Sequence, residues 1–164
     1  MKQSEQRTQF EISEASIEDA ELLTRHRIEM WKDIRPDLKE KAEDMRDVTK
    51  AWIVGKLSEG KLIGLIAKTQ AGQIAGSGCI WLREDAPRLS TSIIESPYLM
   101  SIFTEVRFRR TGVASMIIQY AVDWCKQHGY NRISLHASES GMAVYERFGF
   151  KPTTEMRLTL EDLR

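Results

Sequence analysis

LMSIFTEVRFRRTGVASMIIQYAVDWC, residues 99 to 125, is the stretch on which the fold of this chain turns. Leu99 to Thr104 is apolar and rich in strand formers, which predicts a largely buried strand. From Ala114 onward the apolar residues fall at 114, 117, 118, 121, 122 and 125, the spacing of a helix with one side turned to a core. Between the two lies Arg109-Arg110-Thr111-Gly112-Val113-Ala114. A strand that runs through a glycine turn into a helix points several unpaired backbone N–H groups at one spot, and the helix dipole adds partial positive charge there. Such a turn suits a phosphate or pyrophosphate; the two arginines add full charges, and Gly112 lets a ligand approach the backbone closely. The plainer alternative is a solvated loop whose glycine only makes a turn. The loop is neither a P-loop, since no Gly-Lys-Ser/Thr follows, nor a G-x-G-x-x-G dinucleotide turn.

Outward from this stretch, the totals set bounds. A chain of 164 residues predicts a single domain, residues 1–164, with residues 1–9 as a loose polar tail. Basic and acidic side chains balance at 24 each, so no global field favours nucleic acid or an anionic membrane, and any anion site must be local. Cys79 and Cys125 stand alone in apolar patterns, which predicts reduced, buried thiols; no Cys/His cluster suggests a metal. The N-terminus shows no apolar signal region and no run approaches a membrane span, so a cytoplasmic protein is expected.

Taken in order, Phe10 to Ile12 alternates like a short strand. Ser16 precedes a helix to about Trp31, with Ala20, Leu23, Arg27, Met30 and Ile34 as its stripe. Arg27 on an apolar side either snorkels past the core edge or faces a cleft that takes an anion. Pro36 interrupts, and a second helix is predicted from about Leu38 to Glu59, with Gly60 as its stop. Lys61–Thr69 and Gln73–Leu82 read as a hairpin, in which Gly76 and Gly78 suggest a bulge or a close backbone approach. Residues 83 to 97 read as a loop. After the central unit, Arg132 to Ala137 is predicted to be a strand parallel to 99–104 through a right-handed crossover. Ser138 or Ser140 caps a short helix at about Met142–Phe148, and Lys151–Leu160 alternates like a closing strand. The order β-α-α-β-β-β-α-β-α-β implies a mixed sheet with helices on both faces.

Arg109, Gly112 and Ala114 fill the three places of a pattern that resembles the Arg/Gln-x-x-Gly-x-Gly/Ala signature of the GNAT superfamily of acyl-CoA-dependent N-acetyltransferases. ISLHASESGMAVYERFGF, residues 133 to 150, is similar to the other block of that family: a strand, a short helix carrying tyrosine, then Gly-Phe. The resemblance is good over residues 98 to 150 and loose before residue 60. It implies an α/β (α+β) fold: a mixed, mostly antiparallel sheet with one parallel, splayed strand pair and helices on both faces. It also implies an enzyme that moves the acetyl group of acetyl-CoA to a primary amine of a small molecule or peptide, without a metal. Ile102, Phe103 and Thr104 should offer backbone groups to the pantetheine arm, with the Ile102 amide facing the thioester oxygen. Arg109 and the backbone N–H groups of Arg110, Thr111, Gly112, Val113, Ala114 and Ser115 should cradle the pyrophosphate. Tyr145 should sit near the sulfur as general acid. Two places depart from the usual pattern: Ser138 stands where many relatives have a cofactor-contacting asparagine, and Ala114 where glycine is common.

The chemistry agrees with that layout. Amine attack on a thioester builds negative charge on the carbonyl oxygen, which a fixed N–H stabilises. The leaving thiolate needs a proton, and a phenol with a pKa of about 10 can donate it. Tyr145 could alternatively be a core tyrosine packed beside Val144 and Phe148. Glu29, Glu95, Glu105 and His136 are all candidate bases, His136 also being readable as a satisfied buried histidine. Glu29, Asp33, Asp37 and Glu95 suit a cationic acceptor and Arg27 a carboxylate, so the acceptor is open, as is a homodimer. Two other functions are weighed. A non-catalytic acyl-CoA sensor would keep the cradle but has no evident need for Tyr145. Nucleic-acid binding through Arg107, Arg109 and Arg110 is disfavoured by the zero net charge.

Overall fold

A computed structural model describes residues 9–163; most of the predicted N-terminal tail lies outside them. Four strands form one antiparallel sheet in the order β1-β2-β3-β4: β1 Phe10–Glu14, β2 Leu62–Thr69, β3 Ile74–Glu84 and β4 Glu95–Thr104. Helices α1 (Ala20–Ile34), α2 (Lys39–Asp44) and α3 (Arg46–Ser58) connect β1 to β2. Beyond β4 come α4 (Val113–Gln127) and the short α5 (Met142–Arg147).

Period-two alternation splits the strand side chains between two cores. Leu65, Ala67, Ile80 and Leu82 turn to the face covered by α4, where they meet Ile117, Ile118, Ala121 and Trp124. Leu62, Ile66 and Cys79 turn to the other face, against Ala20 and Leu23 of α1 and Ile53 of α3. Helices therefore cover both faces, as the sequence predicts. Both cysteines are free and buried, and burial pushes the Cys79 thiol up to about 12.

The β3–β4 seam holds the feature that shapes the site. Ser77 pairs with Phe103 and Cys79 with Met100, so Ser101 and Ile102 together face Gly78. This is a β-bulge on β4, and Ser101 takes a left-handed φ of +57°. The extra residue puts Leu99 and Ile102 against the α4 core, while Met100 packs toward α1 and α3. The glycines across the seam are there for space: a Cβ on Gly76 would stand 2.5 Å from the Phe103 carbonyl oxygen, and one on Gly78 2.5 Å from Ile102 Cδ1.

Four expectations need correction. The single helix predicted over Leu38–Glu59 is two helices, because the Met45 amide bonds back to the Ala42 carbonyl and tightens the turn, leaving Met45 48% exposed. The loop predicted over 83–97 shortens to residues 85–94, since the register continues through Arg83↔Ser96 to Glu84↔Glu95. The parallel pair is confined to one bridge, Tyr98↔Ser134, with Leu99 N–H donating to the Ser134 carbonyl and Ser134 N–H to that of Pro97. Residues 132–137 thus form no extended strand. With no such ladder to join, residues 151–159 are exposed coil, and Met156 and Leu158 stand 93% and 65% exposed.

Candidate active site

β4 is one of the two edge strands of the sheet. Among the described residues, backbone hydrogen bonds join its outer edge to the following segment only at Pro97 and Leu99, so from Met100 to Thr104 that edge is open to an extended ligand laid alongside as an added strand. The Thr104 carbonyl is already engaged, accepting from Arg109 Nε at 3.2 Å. Phe103 is buried, its ring 4.8 Å from that of His26.

At the C-terminal end of β4 the chain makes a short helical turn, Val106–Phe108, and enters α4 through the arginine loop. Arg110 (φ +63°) and Gly112 (φ +90°) are both left-handed, which turns successive backbone N–H groups toward one side. Gly112 is the N-cap of α4, and no acidic residue occupies the first turn. The N–H groups of Val113, Ala114 and Ser115 are the first of the helix and have no partner within it. The loop can therefore hold an anion through its backbone. Its arginines behave differently from expectation. Arg109 is committed to Thr104 and to Asp33 on α1, so it braces the loop, while Arg110 makes no hydrogen bond or ion pair among the described residues. Arg107 lies 4.9 Å over the Phe108 ring. Thr111 Oγ1 donates to the Phe108 carbonyl and closes the turn.

Beside the bulge, where β4 parts from residues 134–138, a cavity of about 530 Å³ opens. Ile102, Ser138 and Tyr145, taken from both sequence blocks, come together in its wall. Tyr145 packs its ring edge-on to Phe150, 5.9 Å between centroids, and its hydroxyl has no hydrogen-bond partner among the described residues. Burial pushes the phenol up, and nearby Tyr98 adds to this, so Tyr145 holds its proton at neutral pH. Ser138 Oγ accepts from the Gly141 amide and shapes the entry to α5.

Of the four candidate bases only His136 lines this cavity. Its Nε2 accepts from Arg157, since a guanidinium only donates, and its Nδ1 meets the Tyr98 hydroxyl. Glu29 is paired with Lys32, Glu95 with Lys61 and Tyr130, and Glu105 with Arg25 and His26. The acids read as cation binders are likewise engaged: Asp33 with Arg109 and Asp37 with Arg35.

His26 is a residue that the sequence reading passed over. It is fully buried, and its Nδ1 stands 2.8 Å from Ser77 Oγ and its Nε2 3.0 Å from Glu105 Oε1. Arg25 Nη2 also lies 3.1 Å from Nε2 but directs its N–H to Glu105 Oε1 at 2.8 Å; the carboxylate only accepts, so Nε2 carries the proton and Nδ1 accepts from Ser77. Position 26 lies three residues after Leu23 on the buried face, a signal that was readable. Arg83 was equally readable, because period two from Cys79 and Trp81 turns it to the cavity side.

The acetyltransferase (GNAT) family profile matches residues 20–150, and the chain belongs to that family. It is 27% identical over 113 residues to human N-acetyltransferase 8, a match that covers 67% of this chain and 46% of that protein, so the chain spans about half of that relative's length. A GCN5-related N-acetyltransferase from Ralstonia eutropha superposes with a TM-score of 0.84 at 25% identity, covering 92% of this chain and 98% of the other. A predicted acetyltransferase from Clostridium acetobutylicum, solved with acetyl-CoA, shares the fold at a TM-score of 0.82 and 24% identity, with 94% and 98% covered. Among the described residues no helix is long and apolar enough to cross a membrane, and no group of three or more His, Cys, Asp or Glu could hold a metal ion.

Proposed function

We propose that the protein transfers the acetyl group of acetyl-CoA to a primary amine by direct attack in a ternary complex. The observation that carries this is the meeting of Ile102, Ser138 and Tyr145 in one cavity at the open edge of β4, the same strand whose far end leads to the anion-holding turn before α4. Acetyl-CoA supplies the activated acyl group. The α4 N-terminus and the Arg110–Ser115 backbone hold its pyrophosphate, and β4 residues Ile102 to Thr104 receive the pantetheine arm. The Ile102 amide steadies the charge on the carbonyl oxygen as the amine nitrogen bonds to the carbonyl carbon. When the C–S bond breaks, Tyr145 passes its proton to the departing thiolate. The proton lost by the amine leaves through water, because both ring nitrogens of His136, the candidate base in the cavity wall, are engaged, by Arg157 and by Tyr98.

Calorimetric titration of acetyl-CoA into the wild type and Gly112→Trp tests the cradle, with folding of the variant checked by circular dichroism. Binding to the wild type and none to the folded variant is the expected result. Thiol release with an amine panel then tests transfer. A wild type that binds no acetyl-CoA would overturn the proposal.

A further inference from the structure

The cavity wall carries Arg27, Arg83, Arg157 and His136, and no aspartate or glutamate lines it among the described residues. Arg27 Nη1 donates to Ser101 Oγ at 2.8 Å and the guanidinium stacks 5.7 Å from the Trp31 ring, but among the described residues no carboxylate pairs with it. Its burial disfavours the charged form and pulls its pKa down. Arg83 lies 4.1 Å over the Tyr98 ring, and its Nε is buried without a hydrogen-bond partner among the described residues. Arg157 donates to His136 from the exposed C-terminal segment. Glu155 comes within 3.9 Å of His136 Nε2 yet does not line the cavity.

A buried cation without a counter-ion is costly, and an orphaned guanidinium N–H more so. Two half-buried guanidiniums, Arg27 and Arg83, with a third, Arg157, exposed at the rim and no acid in the wall among the described residues, match an anion that arrives with the ligand. A purely cationic acceptor would be repelled. An amine that carries its own carboxylate is attracted, and the surrounding guanidiniums lower the pKa of its ammonium, which favours the nucleophilic free base. The rest of the wall is apolar, with Met30, Trp31, Trp81 and Met100.

Resting on the acetyltransferase reading above, we propose that the acceptor is an amino carboxylic acid with an apolar or aromatic body, its carboxylate held by Arg27 and Arg83 with Arg157 at the rim. L-Phenylalanine, L-phenylalaninamide and phenethylamine probe this, because they share the amine and the ring and differ in the carboxylate. Thiol release at fixed acetyl-CoA should give the acid a kcat/KM above the other two by about tenfold or more. Arg27→Gln and Arg157→Gln should each bring that ratio toward unity, chiefly through KM for the acid, and Arg27→Lys should keep part of it. Arg157 is exposed, so its variant tests the charge without touching the core. The inference alone is overturned in two cases: the amide or phenethylamine equals the acid, or the ratio survives both glutamine variants. If protein that binds acetyl-CoA acetylates none of the three, the inference falls as well, and the wider amine panel then decides whether transfer itself stands. Protein that binds no acetyl-CoA would overturn both readings.

Discussion

Two residues show how environment assigns a role to a titratable group. Tyr145 sits where burial keeps its phenol protonated, which suits a proton donor and would be a handicap for a base. Tyr145→Phe should lower kcat by about a hundredfold while leaving the circular dichroism spectrum and acetyl-CoA binding intact; unchanged turnover would remove the general-acid role. His26 is the opposite case, a histidine spent on structure. Burial lowers its pKa below the ordinary 6.5 and outweighs the raising effect of Glu105. The unfolded chain therefore takes up this proton more readily than the folded one. The stability involved is fully present above about pH 6.5 and is lost as pH falls toward the lower folded value. Glu105 titrates further down: burial pushes it up, but hydrogen bonds from Arg25 and His26 prevail and hold it below its ordinary 4.5. Urea midpoints from pH 8 to about 5 should thus fall in the wild type, and the slope should flatten in His26→Gln, a variant less stable at pH 8 because Ser77 and Glu105 lose a partner.

Among the elements, the β3–β4 seam decides where the cavity lies. A bulge adds one residue to β4, re-aims Ser101 toward Arg27 and bends the strand beside the open edge. Gly76 allows the seam to close behind it. Gly76→Ala sets a Cβ against the Phe103 carbonyl and 2.9 Å from Val113 Cγ1, and backbone on that side cannot step aside cheaply. Denaturation should show a loss of about 1–3 kcal/mol, accompanied by weaker acetyl-CoA binding, since Phe103 and the first residue of α4 move together. Gly112→Ala is the informative contrast. Its Cβ meets nothing within 4 Å, so only the strain of a left-handed φ is felt, about 1–2 kcal/mol. A Gly76→Ala variant as stable as the wild type would show that the seam can yield.

At the scale of the molecule, the proposed cofactor joins parts that the chain itself ties only lightly. The arginine loop is held to α1 by Arg109–Asp33, and residues 134–145 join the backbone ladder of the sheet through one bridge, Tyr98↔Ser134. A ligand laid along β4 from the α4 N-terminus to Tyr145 would stabilise all of them at once. At 100 times its dissociation constant, acetyl-CoA should add about 2.7 kcal/mol, or about 5–10 °C in Tm. Thermal unfolding with and without acetyl-CoA measures this, and Gly112→Trp should show no shift.

Local patterns determined much of this protein. The strand at 99–104, the turn at Gly112, the helix that follows and the hairpin before them are set by periodicity and glycine chemistry within a dozen residues, and the structure keeps each one. What the tertiary structure alone decided depends on distant partners. Residues 151–159 alternate like a strand yet remain coil, because a strand exists only against a neighbour and residues 132–137 offer no ladder. The bulge falls at Ser101, a residue type that gives no hint of positive φ. Arg27 could have snorkelled; Ser101, 74 residues away in the chain, draws it into the cavity. The candidate bases were equivalent as letters and became distinct only when Lys32, Lys61 and Arg25 claimed the glutamates. Charge balance over the whole chain gave no sign of a cavity lined by guanidiniums, since folding, which sorts side chains by where their elements pack, gathered them there and left the acids outside.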